Sequence, residues 1–175
     1  MSTTLHTAAP FWVMGLAALT VSLAVVGMRQ FGPKLLFNPT PSEPRGIYRL
    51  VSHPTREYRR GMVVVFAVPP ALRALVYGRQ WLPNGVPLLK ELKGLAGDRV
   101  CIRADHLEVN DQRVGPVFAY DRQGLPLPQV RGCFVVAAGD FFAASEQLPN
   151  SFDGRYFGSL PLSVLQGEAK PVWTF

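Results

Sequence analysis

Histidine and cysteine are scarce in this chain, and Asp, Glu, Lys and Arg are missing altogether from the first 28 positions. Three scattered histidines (His6, His53, His106) and two cysteines (Cys101, Cys133) offer no cluster with zinc-ligand spacing. Two cysteines also cannot build the multiple-disulfide scaffold of a small secreted toxin. No internal repeat is visible, which removes solenoids and propellers. Glycine and proline, 16 of each in 175 residues, stay below low-complexity content but supply many turns. Hydrophobic residues make up 48% of the chain, too many for a disordered one. The net charge of +6 is spread thinly, and its densest group (Arg56, Arg59, Arg60) has no recognition-helix or aromatic-basic pattern beside it. Those residues read as a solvated surface, and nucleic acid is not expected as a partner.

The uncharged start contains the apolar run Ala8–Met28, AAPFWVMGLAALTVSLAVVGM. As a helix it would reach about 30 Å, the thickness of a bilayer's hydrocarbon core, with Phe11 and Trp12 at one interface. A cleaved signal peptide is the competing reading. The missing basic n-region and the length of the run favour an uncleaved anchor. Arg29, Lys34, Arg45 and Arg49 follow the run, a bias that taken alone would hold the remainder in the cytoplasm.

Beyond Met28 the pattern becomes that of short strands. Prolines 39, 41 and 44 exclude helix between Phe37 and Gly46. Strands are predicted over Ile47–Val51, Met62–Val68, Leu88–Lys93, Arg99–Val109 and Gln112–Val117, with a strand pair in Gly132–Ala144 broken at Gly139-Asp140. Pro69–Trp81 is ambiguous and suits a short helix, while Asn110-Asp111 marks a hairpin turn. Many short strands with frequent turns make the domain mostly β.

Three segments carry potential chemistry. Ser42 lies among stiffening prolines, with the Thr40 hydroxyl two residues before it on the same side of an extended chain. A spacer serine would look the same. In a strand over Leu88–Lys93, Lys90 shares its face with Leu88 and Leu92, whereas Lys93 has Glu91 on its own face. An amine buried among leucines loses its charge more readily and can then deprotonate a serine; a lysine at a strand edge would instead reach for water. Asn150–Gly158 holds Ser151, Asp153 and Arg155. It is either a turn with an ion pair or a support loop, in which Ser151 orients the amine and Asp153 with Arg155 braces the loop.

In order and spacing these segments resemble the signal peptidase I clan of serine–lysine proteases. Asn38-x-Thr40-x-Ser42-x-Pro44-x-Gly46-Ile-Tyr48 is similar to the TraF-type conjugal transfer peptidases. Arg60–Phe66, Leu89–Asp98 and Asn150–Gly158 resemble the clan's later boxes, and together the likeness covers nearly the whole chain. There are departures. Glu43 stands where housekeeping signal peptidases commonly have methionine, Ala96 replaces the proline of the lysine box, and Met62 stands where the clan often has Asp. Glu43 favours the conjugation branch over ordinary leader-peptide processing.

The resemblance implies a signal-peptidase-like β domain of short antiparallel strands preceded by one N-terminal transmembrane helix. Residues 1–30 would be the anchor in the inner membrane and 31–175 a periplasmic peptidase domain. It also implies a serine endopeptidase with Ser42 as nucleophile and Lys90 as general base. Oxyanion stabilisation would come from the Ser42 N–H and the Thr40 hydroxyl, with support from Ser151, Asp153 and Arg155. No metal or organic cofactor is required, and the expected partner is a propilin or another membrane-inserted precursor. Water or an amine could resolve the acyl-enzyme, the second giving a cyclic product. A general signal peptidase and a non-enzymatic envelope assembly factor are the alternatives. A self-cleaving repressor-type protease is disfavoured by the apolar run and the lack of a DNA-binding head. Cys101 and Cys133 are either one disulfide or two reduced, buried thiols.

Overall fold

The computed structural model describes residues 11–31, 34–53 and 57–175; Arg56 and the first ten residues of the expected anchor, His6 among them, lie outside these. The chain divides into two units, Met1–Lys34 and Leu35–Phe175. In the first, helix α1 runs over Phe11–Phe31. Its two hydroxyls are satisfied internally, Thr20 donating to the Ala17 carbonyl at 2.9 Å and Ser22 to the Ala18 carbonyl at 2.8 Å. Among the described residues no helix is long and apolar enough to cross a membrane. Side chains in α1 are described only over residues 12–22, a stretch of about 16 Å, and all of them are exposed.

The second unit contains β1 (Leu35–Asn38), β2 (Gly46–Val51), β3 (Val63–Phe66), α2 (Pro70–Gly78), β4 (Leu88–Leu95), β5 (Arg99–Ile102), β6 (His106–Val109), β7 (Gln112–Pro116), β8 (Gly132–Val135), β9 (Asp140–Ala143), α3 (Gly154–Phe157), β10 (Leu160–Pro161) and β11 (Leu165–Thr174). The strands form a seven-stranded sheet, β1-β2-β11-β3-β4-β9-β10, and a four-stranded sheet, β7-β6-β5-β8. Every ladder is antiparallel, as expected from short strands joined by turns.

Alternation along the strands explains the core. On β9, Phe141 and Ala143 face a cluster with Phe66, Leu88 and Leu92, while Phe142 faces a second cluster with Val100, Leu107 and Tyr156. One strand thus cements both hydrophobic bodies, and burial of each such side chain stabilises by about 1.5–3 kcal/mol. Leu89, one residue out of phase with Leu88, packs instead with Tyr48, Val65 and Ala169. The ambiguous Pro69–Trp81 segment forms α2, starting at Pro70 because the ring's fixed φ suits a first helical turn. Asn110 and Asp111 take φ of 51° and 63°, the geometry of a tight hairpin.

Two expectations need correction, and one strand was not expected. Arg99–Val109 is not one strand: it folds back as β5 and β6, with the Arg103 N–H donating to the His106 carbonyl at 2.8 Å. Residues 103–105 include no glycine or proline to mark the reversal; only Asp105 and a change of parity, from Val100 and Ile102 to Leu107 and Val109, signal it. The strands in Gly132–Ala144 do not pair together; β8 joins β5 and β9 joins β4, in different sheets. The ten-residue β11 lies centrally between β2 and β3 although Gly167 and Pro171 interrupt its pattern. It crosses so close to Gly46 that a Cβ there would lie 2.0 Å from the Trp173 carbonyl oxygen. Only glycine fits at that point.

Cys101 and Cys133 are directly opposed on β5 and β8 and form a disulfide. In the chain-entropy picture a loop of this length contributes about 3–4 kcal/mol.

Candidate active site

The turn between β1 and β2 carries Ser42, and its shape is set by Asn38 at the end of β1. The Asn38 amide donates to the carbonyls of Thr40, Glu43 and Pro44, each at 3.1 Å. Its Oδ1 accepts the Thr40 N–H at 3.1 Å and the Thr40 hydroxyl at 2.7 Å. Tyr48 adds a hydroxyl bond to the Pro44 carbonyl at 2.6 Å. A proline-rich turn has few amides of its own to close rings, so side chains fix it instead.

Lys90 comes from β4, on the face of Leu88 and Leu92, and is only 5% exposed. Its Nζ donates to Ser42 Oγ. Burial pushes the amine down to about 8; the negative charges of Asp153 and Glu43 oppose that fall and Arg155 adds to it. Lys93, one face away, is held at 2.7 Å by both Glu91 and Glu146, so the two lysines of the box differ as strand parity requires.

Beside Ser42 and Lys90 lies a fully buried polar cluster. Asp153 caps α3 by accepting the Arg155 N–H at 3.2 Å, and it pairs with Arg155 Nε at 2.8 Å. The Arg155 guanidinium also donates to the carbonyls of Ser145 (2.6 Å), Pro116 (2.7 Å) and Pro149 (3.0 Å). Asp153 Oδ2 accepts the Ser145 N–H at 3.0 Å, and the Ser145 hydroxyl donates to the Ser42 carbonyl. The Asp153–Arg155 pair therefore reaches Ser42 through Ser145.

Thr40 Oγ1 lies 3.5 Å from Ser42 Oγ, but its proton is given to Asn38. The expectation that Ser151 orients the lysine amine is not met. Among the described residues the Ser151 hydroxyl, although buried, has no hydrogen-bond partner, and the Lys90 amine has turned to Ser42. Ser151 still lines the same cavity. That cavity, of about 360 Å³, opens over Ser42 and Lys90 and is walled by Leu36, Trp81, Leu82, Phe118, Phe152 and Tyr156. Trp81 and Phe152 meet with ring centres 4.9 Å apart, and Phe152 stacks on Tyr156 at 5.5 Å. Such a wall keeps water from the Lys90 amine, which favours its neutral form.

Sequence reasoning missed Ser145, which stands 103 positions from its partner and belongs to no motif. Asn38 was visible within the serine motif, but its five-bond role was not. Glu43 was noted only as a departure from the clan's pattern.

Residues 7–174 match the family described as signal peptidase, peptidase S26. A conjugal transfer protein TraF of Agrobacterium fabrum is 36% identical over 172 residues, spanning 93% of this chain and 94% of that protein. A plasmid transfer protein TraF of Escherichia coli is 28% identical over 175 residues, spanning 93% of each. A probable signal peptidase I-2 of Synechocystis is 26% identical over 163 residues, spanning 89% of this chain and 70% of that protein.

Proposed function

Because the chain belongs to the peptidase S26 signal peptidase family, we propose that it is a membrane-anchored serine endopeptidase that matures a conjugative propilin. The observation that carries this reading is the hydrogen bond between Lys90 Nζ and Ser42 Oγ against an apolar wall. When Lys90 is neutral the contact reverses, the hydroxyl giving its proton to the amine lone pair. Ser42 Oγ then attacks the scissile carbonyl carbon. The tetrahedral oxyanion collapses to an acyl-enzyme, and Lys90 returns the proton to the departing amine. Water, or a free amine of the substrate itself, attacks the ester in the second half-reaction. The Ser42 N–H and a Thr40 hydroxyl released from Asn38 are the donors suited to the oxyanion.

The anchor is part of the same proposal: residues 1–30 hold the enzyme in the inner membrane, and the domain from 31 onward works in the periplasm. The Cys101–Cys133 disulfide fits an oxidising compartment. The relatives named for conjugal and plasmid transfer support a substrate of the conjugation machinery. A second reading, general removal of leader peptides, is favoured by the signal peptidase I-2 relative.

The test is to incubate the full chain in detergent with a candidate propilin and, separately, with a leader-bearing precursor, and to weigh the products. Propilin cleavage without leader cleavage supports the first reading and the opposite result the second. A product one water lighter than the linear form identifies an amine as the acceptor. Ser42→Ala and Lys90→Ala are expected to lower processing by at least about a thousandfold. Full transfer function with Ser42→Ala would make the protein an assembly factor instead.

A further inference from the structure

Glu43 takes no part in the steps above, yet it is only 3% exposed, next in sequence to Ser42. Its carboxylate accepts the Glu91 N–H at 3.1 Å. That donor lies where the β9 side of the ladder runs out: β9 pairs with β4 from Leu92 onward, and just past it the Ala144 N–H still reaches the Glu91 carbonyl at 3.0 Å, but the Glu91 N–H goes to Glu43. Glu43 therefore fills the end of the β4–β9 ladder and ties the nucleophile's turn to the strand of the base. A neutral acceptor would serve that hydrogen bond as well, and a buried carboxylate costs free energy that the tie alone does not require.

The charges around it indicate what the carboxylate adds. From β4 it is faced by Lys90, Glu91 and Lys93, and from β2 by Tyr48. The charges of Asp153 and Arg155 also act on Lys90. Lys93 is taken by Glu91 and Glu146, Asp153 is taken by Arg155, and the Tyr48 hydroxyl is taken by the Pro44 carbonyl. Among the described residues Lys90 has no carboxylate in salt-bridge contact, so Glu43 and Asp153 answer its charge from a distance.

Resting on the Ser42–Lys90 reading, we propose that Glu43 is a positioning residue whose carboxylate sets the pH at which Lys90 gives up its proton. Burial pushes the Glu43 carboxyl up to about 7, against the pull of Lys90 and of the Glu91 N–H, so it ionises just below the range of the amine at about 8. A negative Glu43 favours the ammonium form; a neutral amide in its place withdraws that support and lets the amine deprotonate at lower pH. Glu43→Gln keeps an acceptor for the Glu91 N–H, which separates the charge from the tie.

The experiment follows the lysine ε-methylene NMR signals of the full chain in detergent against pH, with Lys90→Met identifying the Lys90 signal. Glu43→Gln is expected to lower the Lys90 midpoint by roughly one pH unit. An unmoved or raised midpoint in the folded variant overturns the proposal. If Glu43→Gln does not fold, Glu43→Met, of similar volume and no charge, is read by the same two outcomes. Because the titration needs no substrate, it stands or falls apart from the peptidase reading, which fails only if processing survives loss of Ser42 or Lys90. With substrate, the acid limb of kcat/KM should move down equally while the plateau stays within roughly threefold. A lower plateau with an unmoved limb would mean a merely structural role and overturn the proposal.

Discussion

Lys90 and Arg155 are two cations buried in one site, one on a strand and one in the short helix after the support loop, and their surroundings differ throughout. Arg155 is fully enclosed and spends its donors on Asp153 and on the carbonyls of Ser145, Pro116 and Pro149. Lys90 has the Ser42 hydroxyl and a wall of leucines and aromatic rings. A guanidinium is always charged and can be buried only if its fork is filled, so Arg155 serves as a brace. An amine can shed its proton instead, so burial with few partners suits Lys90 to the role of base proposed for it. One cost, desolvation, yields opposite uses because the two groups relieve it differently.

The comparison breaks most visibly at Lys90→Arg. A permanent charge there cannot accept the Ser42 proton, and processing is expected to fall at least about a thousandfold, read from initial rates on the precursor. Near-normal rates would show that neutrality at this position is not needed. Next is Arg155→Met, which leaves Asp153 buried without its partner and three carbonyls without donors. A loss of about 3–5 kcal/mol is expected in urea unfolding. A loss near zero would mean that the brace is replaceable.

The smallest expected effect has the opposite sign. The Lys90 midpoint lies near 8 in the folded chain against an ordinary 10.5, so the unfolded chain binds more protons between those values. Stability attributable to this group therefore rises with pH across that window, and its penalty is complete below 8. Lys90→Met is expected to be inactive but more stable by about 2–3 kcal/mol at pH 6, with the gap closing toward pH 10.5. Urea midpoints at several pH values measure this, and a variant less stable at pH 6 would sink the argument that Lys90 is held under strain of desolvation.

Much of the site was legible because local rules govern it. Parity along Leu88–Lys93 separates the leucine-flanked Lys90 from the ion-paired Lys93, and the prolines around Ser42 exclude helix. The fold was legible where alternation met paired turn residues, as at Asn110-Asp111, and was misread where a lone Asp105 marked the reversal between β5 and β6. The central β11 was hidden because neighbours on both sides supply its stability, which lets it tolerate Gly167 and Pro171. Ser145 could not be found by spacing, since its role depends on where β9 ends relative to the serine turn. Ser151 shows the reverse case: a motif position that the folded chain buries without using its hydroxyl for the amine.

The order of residues alone determined which side chains share a face, where helix is forbidden and where charge is absent, because those properties depend on neighbours within a few positions. Tertiary structure decided that Lys90 meets Ser42, that Glu43 caps the open end of β4, and that Arg155 is satisfied from the end of β7 as well as from its own loop. Desolvation and the pairing of buried charge depend on what arrives from distant parts of the chain, and no local pattern records that arrival.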